Sequence, residues 1–278
     1  MAKINKNFFK IIAYIILLSG CTMMIFPFFW MLATSLMTEG QIYSFPPELI
    51  PNPLVKSNYI EVYKSIPVVK YFFNSLFVAS VTTLGQIIIA SMSGYAFARM
   101  DFKFKEPLFL LVLMTMMIPP QVNIIPLFFV MKELHWIDTM QALIVPGFFG
   151  GFGVFLMRQW FKSLPKGLEE SAKIDGCNPF QIFFKIALPL ALPAVATLSI
   201  FTFITTWNSF MWPLIVTNSD NIRTLPVALA SFSGSFRETT QWGQLMACAF
   251  ITTLPAVVIF LLGQKYFING ILEGGMKE

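Results

Sequence analysis

Apolar residues fill this chain in long runs, and polar or charged residues are concentrated in the segments between those runs. A membrane-spanning helix needs roughly 20 mostly apolar residues to cross a hydrocarbon core about 30 Å thick. Six runs are long enough, so the pattern predicts an all-α polytopic membrane protein with six transmembrane helices. The predicted spans are Phe9–Leu36, Tyr71–Ala98, Leu108–Met131, Gln141–Phe161, Leu190–Val216 and Leu245–Ile268.

The composition argues against a soluble fold. Hydrophobic residues make up 56% of the chain and charged residues 12%, whereas soluble domains carry roughly 25% charged residues. Large apolar patches left in water drive association, so lipid is the expected solvent for most of this chain. The formal net charge of +5 is small and dispersed, so no nucleic-acid partner is predicted.

The N-terminal run is expected to be a retained membrane helix. It follows a basic start (Lys3, Lys6 and Lys10), as the apolar core of a signal peptide does. However, the apolar stretch from Ile11 to about Leu36 is much longer than the roughly 7–15 residues of such a core. The three cysteines are far apart and form no CxxC or Cys/His cluster, which predicts free thiols and no metal site.

The lysines and arginines are distributed unevenly between alternate connections. Thirteen of the 19 lie on one side of the predicted membrane and six on the other. Because cytoplasmic loops carry the excess of Lys and Arg, both termini, the loop after Arg99 and segment 162–189 are predicted to face the cytoplasm. The longest outer loop, about Met37–Lys70, contains five prolines and is predicted to be extended, as a connector or as a partner contact.

No ionisable residue lies deep within a predicted span. Lys10 and Arg158 are near inner ends, where long side chains reach the interface. Carriers that couple transport to protons usually keep ionisable residues at membrane depth. The chain is therefore not expected to couple transport to protons by itself, although an autonomous channel or secondary carrier remains an alternative.

Small residues recur in the second and fourth predicted spans. Ala90, Gly94 and Ala98 are four residues apart, as are Gly147 and Gly151. Small residues let helix backbones approach closely in lipid. These positions predict packing seams, either within the chain or against a second membrane subunit.

Prolines and polar residues interrupt the third and fifth predicted spans. Three prolines between residues 119 and 126 remove backbone donors and predict a bend or an unwound stretch. Such a break requires protein or water to satisfy the freed groups, so it indicates either a cavity or a static kink near the outer surface. The candidate substrate-path residues are Gln121, Asn123, Thr205, Trp207 and Asn208.

The charged segment 162–189 separates the fourth and fifth predicted spans. After Pro165, Leu168–Lys173 is predicted to form a short helix with Glu169 and Glu170 in its first turn, where negative charge suits the helix dipole. Asp175-Gly176 predicts a turn, because glycine tolerates left-handed backbone angles.

A second short helix is predicted after this turn. Asn178 is a good N-cap and Pro179 a good first helical residue. Phe180, Phe183 and Phe184 recur at helical spacing and predict one apolar face. The segment is therefore expected to lie along the cytoplasmic surface as a helix–turn–helix, with polar tips available to a partner.

The spacing in this segment resembles the EAA loop of ABC-transporter permease subunits. Glu170-Ser171-Ala172 is followed after three residues by Gly176, after nine more by Ile186, and then by Leu188-Pro189. Ser171 replaces the usual Ala, a change between small residues. Other stretches resemble the carbohydrate-uptake branch with MalG-type subunits, and the resemblance covers essentially the whole chain. These stretches are Ser93–Arg99, Ile118–Pro126, Trp207-Asn208 with Pro213-Leu214, and Gly270–Lys277.

The resemblance implies the type I ABC importer fold. It implies an N-terminal helix and outer loop at 1–69, a permease core at 70–268 with coupling loop 162–189, and a cytoplasmic tail at 269–278. The implied partners are a second homologous permease subunit (MalF-like), two ATP-binding cassette subunits, and an extracytoplasmic solute-binding protein. This chain is expected to bind no cofactor and to be no enzyme, because it has no Gly-Lys dipeptide and hence no Walker A loop. ATP and Mg would belong to the partner ATPases.

The resemblance also implies roles for particular residues. The implied ATPase-coupling residues are Glu169, Glu170, Ser171, Ala172, Asp175, Gly176, Phe180, Leu188 and Pro189. In the last outer loop, about Thr217–Gln241, the implied binding-protein contacts are Ser235, Phe236 and Arg237. The expected function is that of a permease subunit in an ATP-driven importer of a sugar or glycoside in the bacterial cytoplasmic membrane. A glycerol phosphoester or a compatible solute is the alternative cargo.

Overall fold

The computed structural model describes residues 6–232 and 240–275, and the regular elements within those ranges are all helical. The α-helices are α1 (Lys6–Ser35), α2 (Glu39–Ile42), α3 (Ser57–Ser65), α4 (Val68–Arg99), α5 (Lys105–Met117), α6 (Ile124–Glu133), α7 (Met140–Ile144), α8 (Gly151–Ser163), α9 (Lys166–Ile174), α10 (Pro179–Ile182), α11 (Leu188–Leu190), α12 (Leu192–Trp207), α13 (Met211–Val216), α14 (Leu225–Leu229) and α15 (Trp242–Gly275). Three 3-10 turns (Pro120–Asn123, Val145–Phe148 and Ala230–Phe232) and one π-helical turn (Phe183–Ala187) complete the described elements.

Four described helical segments are long and apolar enough to cross a membrane. They are Lys10–Ser35, Val68–Arg99, Met140–Ser163 and Trp242–Lys265. Two further candidates are bent helix pairs. Lys105–Met117 meets Pro120–Glu133 at 97°, and Pro179–Leu190 meets Leu192–Trp207 at 74°. The described part of the chain thus holds four to six spans, and six spans with cytoplasmic termini stay a prediction.

The break predicted in the third span is confirmed. Helix α5 ends at Met117, and a 3-10 turn precedes α6. Pro119 and Pro120 have no backbone N–H to donate, so the hydrogen bonds of α5 cannot continue through them. The predicted run Leu108–Met131 is therefore two helices at a steep angle rather than one straight span.

The fifth predicted span, Leu190–Val216, is also interrupted, as its prolines and polar residues indicated. The chain bends at Ala191, and α12 begins with Pro193 in its first turn, where the missing N–H costs nothing. Helix α12 then ends at Trp207, and a separate short helix, α13, begins at Met211.

The chain divides into two compact units, of which the first comprises Met1–Val68 and Ala228–Leu254. In this unit α3 is fastened to the end of α1. The Tyr59 hydroxyl lies 2.8 Å from Ser35 Oγ, and Asn58 donates hydrogen bonds to the carbonyls of Ser35 and Met37.

The extended loop predicted over Met37–Lys70 is thus only partly correct. Helix α2 starts with a Thr38 capping box, and α3 forms in a stretch that contains none of the five prolines. A local cap and a proline-free stretch are enough to start a short helix where the loop average favours extended backbone.

The second unit, Val69–Val227 with Pro255–Glu278, contains the predicted packing seam. A Cβ added to Gly94 of α4 would stand 2.6 Å from the Cβ of Met157 and 2.9 Å from the backbone nitrogen of Arg158, both in α8. One added to Gly153 would stand 3.1 Å from the Cβ of Ala90. These small residues let α4 and α8 touch, so a seam within the chain is confirmed.

A buried apolar cluster, called here the inner core, surrounds this seam. It joins residues of α4, α8, the π-helical turn and α12. Its buried members are Ala90, Tyr95, Val154, Met157, Phe161, Phe183, Ala187, Ala191, Ala194 and Leu198. The inner core therefore connects the loop between α8 and α12 to the long helix α4.

Candidate functional site

The charged segment between α8 and α12 folds as two short helices around a tight turn, much as predicted. Helix α9 begins at Lys166, after Pro165, so only Glu169 lies in the first turn and Glu170 follows it. Glu170, Ser171 and Asp175 are exposed, whereas Ala172 is buried. One face of α9 therefore packs on the chain while the other presents polar groups.

Arg99 fastens α9 to the end of α4. Its Nε lies 3.0 Å from Glu169 Oε1, and both side chains are mostly buried, at 6% and 13% exposed. Its Nη2 donates a hydrogen bond of 2.5 Å to the carbonyl of Leu164, which caps α8. Nε itself makes no hydrogen bond, so the contact with Glu169 is an ion pair held by charge.

Gly176 provides the predicted turn after α9. Its φ is +81°, in the left-handed region that disfavours residues with a Cβ. The N–H of Gly176 donates to the Lys173 carbonyl at 3.1 Å, and the N–H of Cys177 donates to the Ala172 carbonyl at 2.9 Å. A Cβ on Gly176 would meet nothing within 4 Å. Backbone angle, rather than space, therefore favours glycine here.

The predicted Asn178 cap is confirmed. Asn178 Oδ1 accepts from the Gln181 N–H, and Gln181 Oε1 accepts from the Asn178 N–H, each at 2.9 Å. These reciprocal bonds satisfy two backbone donors at the start of α10 and hold the second helix at a defined angle after the turn.

The single apolar face predicted for the three phenylalanines is confirmed only in part, because Phe180 and Phe183 line one apolar pocket against α4 and Phe184 does not. Phe183 is buried, and its ring centroid lies 5.1 Å from that of Tyr95 in the inner core. Phe180 and Phe184 are 69% and 55% exposed. The backbone becomes π-helical from Phe183, which changes the side-chain register expected for an α-helix.

The remaining predicted coupling residues lie where the loop enters α12. Leu188 packs against the inner core, whereas Pro189 is exposed.

Sequence reasoning missed three features of the site. These are the partner role of Arg99 and the exposed apolar side chains of Leu168 and Ile174, at 45% and 86%. Apolar residues at irregular spacing in a charged helix give no periodic signal, and the partner of Arg99 is 70 positions away along the chain.

Three of the predicted substrate-path residues share an open cavity of about 700 Å³. These are Gln121, Asn123 and Thr205. Other polar and aromatic groups in its lining are Thr115, Ser209, Phe149, Phe210 and Trp212. Its lining residues, all within the described chain, carry no ionisable side chain. The break between α5 and α6 therefore opens beside a cavity with neutral polar walls.

The other two predicted path residues lie elsewhere. Trp207 is buried, with its ring 5.6 Å from that of Phe72 and 5.9 Å from that of Phe203. Asn208 caps α12, is exposed, and is absent from the cavity wall. Thr205, in the last turn of the same helix, lines the cavity, and the apolar pattern did not show this difference between neighbouring residues.

Hydrogen bonds from Asp138, in the segment after α6, connect that segment to the start of the last predicted outer loop. Asp138, with a left-handed φ of 60°, donates its N–H to the Val216 carbonyl at 2.9 Å. Its Oδ1 accepts from the backbone N–H groups of Ser219 and Asn218, at 2.9 and 2.8 Å. These two backbone hydrogen bonds hold the pKa of the Asp138 carboxyl below its ordinary value. The predicted contacts Ser235, Phe236 and Arg237 lie outside the described residues.

Acid is expected to weaken this tie. Because the folded pKa of Asp138 is lowered, its carboxylate stabilises the folded chain above the ordinary value of 3.8, and that stabilisation is lost as pH falls through the folded pKa. Asp138→Asn should lower the thermal unfolding midpoint in detergent at neutral pH and reduce the further loss on acidification. Asp101→Asn, at a fully exposed carboxylate, is the control. Identical pH profiles for the wild type and Asp138→Asn would rule the tie out.

The bent apolar helices and the two-helix charged loop lie in the part of the chain that one protein family matches. Residues 86–272 match the family described as "Binding-protein-dependent transport system inner membrane component". This match spans more than half of the chain and includes the loop and the cavity. The chain belongs to that family, and the resemblance to ABC-transporter permeases of carbohydrate uptake is confirmed.

Individual relatives agree over almost the full length. The chain is 38% identical over 256 residues to the arabinooligosaccharides transport system permease protein AraQ of Bacillus subtilis, covering 91% of this chain and 90% of that protein. It is 30% identical over 275 residues to the sn-glycerol-3-phosphate transport system permease protein UgpE of Yersinia enterocolitica, covering 97% and 98%.

A solved structure supports the fold. A chain of a bacterial ABC transporter involved in the import of the acidic polysaccharide alginate superposes with a TM-score of 0.85 at 21% identity, covering 96% of this chain and 99% of that chain. A chain of the MetNI methionine ABC transporter, in an inward-facing conformation, gives a TM-score of 0.58 at 19% identity, covering 73% and 95%. At these identities the likeness concerns the fold alone.

Proposed function

We propose that this chain is the membrane-spanning permease subunit of an ATP-driven, binding-protein-dependent importer of a sugar or glycoside in the bacterial cytoplasmic membrane. The observation that carries this proposal is the loop from α9 to α10. Arg99 and Ala172 attach the loop to the chain on one side, while Glu170 is exposed on the other. Such a loop suits a surface that receives force from a second protein.

The proposed partner at this loop is an ATP-binding cassette subunit. The same two-helix loop carries the exposed carboxylates of Glu170 and Asp175 and the exposed apolar side chains of Ile174 and Phe180. Apolar groups surrounded by charged ones are typical of a surface that a partner covers. In the proposed machine two such ATPases bind ATP and Mg. This chain pairs with a second, MalF-like permease, and a solute-binding protein delivers the cargo from outside.

The cavity favours a neutral, hydroxylated cargo. Gln121, Asn123 and Thr205 offer donors and acceptors without charge, and Trp212 adds an aromatic face. Arg and Lys are the usual side chains that bind phosphate, and this cavity wall contains neither. The start of α8 at Gly151 lies on the same wall, and a helix N-terminus is a feature that a phosphate-bearing cargo would use. The arabinooligosaccharide name of the Bacillus subtilis relative supports the neutral cargo. The glycerol-3-phosphate name of the Yersinia relative supports the alternative cargo.

Purification of the tagged chain from its own host in mild detergent tests the proposal. We expect an ATP-binding cassette ATPase and a second permease to copurify, and ATP-loaded vesicles with the assembly to take up a sugar selected by the cognate binding protein. A thermal-shift screen of that binding protein against neutral sugars and sn-glycerol-3-phosphate chooses the probe. Uptake by this chain alone, without ATP, would instead establish an autonomous channel or carrier.

The same vesicles test the substrate path. Gln121→Leu should lower sugar uptake, because it removes a neutral donor and acceptor from the cavity wall. Gln141→Leu is the matched control, since Gln141 is exposed on α7 and outside the cavity. Equal uptake by both variants would remove the cavity from the proposed path.

A further inference from the structure

Glu169 and Glu170 are neighbours in sequence but have opposite surroundings. Successive residues of an α-helix point roughly 100° apart, so adjacent glutamates need not share a face. The Glu169 carboxylate turns inward and is only 13% exposed, whereas Glu170 is exposed. The two carboxylates therefore have different tasks, and only the outward one is placed to meet a partner directly.

Arg99 receives the inward carboxylate and joins three elements at one point. It is the last residue of α4, it donates to the Leu164 carbonyl at the end of α8, and it pairs with Glu169 in the first turn of α9. The start of the loop is thus attached by charge to the inner end of a 32-residue helix.

A second arginine nearby shows what distinguishes this pair. Arg158 of α8 is also buried, its guanidinium carbon lying 3.7 Å from the centroid of the Phe109 ring, and it bonds Glu106 at 3.1 Å. Glu106, however, is 70% exposed. Water and salt screen a pair with an exposed member, whereas two buried charges depend on each other. Loss of Glu169 would leave Arg99 buried without a counter-charge.

We propose that Arg99 is a positioning residue whose pairing with Glu169 makes α4 move together with the coupling loop. The inference rests on the proposed function, in which an ATPase displaces that loop. With the ion pair in place, displacement of α9 pulls the inner end of α4. Without it, α9 keeps its buried Ala172 and its turn, but the charged attachment to α4 is lost. Arg99 thus acts through α9 rather than by touching the ATPase or the solute.

The test compares the motion of α9 and α4 in the complete importer in lipid nanodiscs. Spin labels at Lys173→Cys and Leu84→Cys, in a background without the three native cysteines, report the separation of the two helices. Leu84 is exposed on α4 and lies about 22 Å along the helix from Arg99 at 1.5 Å per residue. The complex is compared without nucleotide and after trapping with ATP and vanadate, which requires no knowledge of the cargo.

In the protein with Glu169 intact we expect the same label separation in both states, because the helices move together. Glu169→Gln keeps the size of the side chain and removes its charge, so the separation should shift and broaden on trapping. We also expect its transport-to-hydrolysis ratio to fall by about 5- to 150-fold, the range of typical coupling energies. Glu106→Gln removes the charge of the exposed member of the Arg158–Glu106 pair. Its label separations and its transport-to-hydrolysis ratio should equal those of the protein with both glutamates unchanged.

The double variant Arg99→Gln with Glu169→Gln separates coupling from folding, because it leaves no unpaired buried charge. We expect it to copurify with the ATPase at normal yield and still to show the shifted separation on trapping. Normal separation and normal transport in the double variant, or in Glu169→Gln, would overturn the proposal. If the proposed function itself is wrong, even the unsubstituted chain will trap no nucleotide, so the two failures are distinguishable.

Discussion

Reversing the charge of Glu170 is expected to uncouple this chain from its ATPase. Glu170 is exposed on α9 and enters no ion pair among residues 6–232 and 240–275, so Glu170→Lys should leave the fold of the isolated chain nearly unchanged. At an interface, a like-charge contact or a stranded charge costs several kcal/mol. About 3 kcal/mol would weaken association roughly 150-fold. Reconstituted uptake and stimulated ATP hydrolysis should both fall close to background.

Gly176→Asp changes the turn after α9 and so tests the same exposed side of the loop as Glu170→Lys. The left-handed φ of Gly176 disfavours a side chain, and the open space around it would place the new carboxylate in the partner's way. Asp101→Lys is the matched control for charge reversal, because Asp101 is fully exposed and its predicted side of the membrane is the same. If Glu170→Lys and Gly176→Asp both transport and hydrolyse ATP like the wild type, the loop is not the coupling element.

Filling the seam at Gly94 is expected to destabilise the chain itself. A Cβ at this position meets Met157 and the backbone nitrogen of Arg158 within 2.9 Å, and backbone atoms cannot move aside by rotating a side chain. Gly94→Val must therefore push α4 and α8 apart, at a cost of about 1–3 kcal/mol for overpacking. The thermal midpoint and the yield of monodisperse chain in detergent should both drop.

Gly20→Val provides the matched control for the Gly94 substitution. Gly20 lies within α1, and a Cβ added there meets nothing within 4 Å. The same substitution therefore changes helix propensity without touching a neighbouring helix of this chain. Equal midpoints for Gly94→Val and Gly20→Val would show that α4 and α8 do not touch at the seam.

Local physics accounts for the parts of this protein that were predictable. The apolar runs predicted the helical spans, and the prolines after Met117 predicted the break between α5 and α6. The Asn178 cap and the Gly176 turn were also predictable. Each depends on residues within about four positions, where backbone geometry and hydrogen bonding dominate.

The misplaced side chains of the candidate site depend on distant contacts. Which of Phe180 and Phe183 is buried depends on where α4 lies. Phe183 is the buried one, because its ring packs against that of Tyr95 in α4. Trp207 and Thr205 are two residues apart, yet only Thr205 reaches the cavity. No periodicity in a single segment carries such information, since it concerns which face of one helix meets another.

The sequence by itself determined that this chain is a membrane protein with a two-helix charged loop, and the spacing of that loop indicated its family. These properties follow from hydrophobicity and local backbone preference, which each segment carries independently. Only the tertiary structure decided that Glu169 is turned inward to Arg99 while Glu170 faces outward. The physical reason is that packing of α4 against α8 brings together charges 70 residues apart, and burial makes that one pair of charges interdependent.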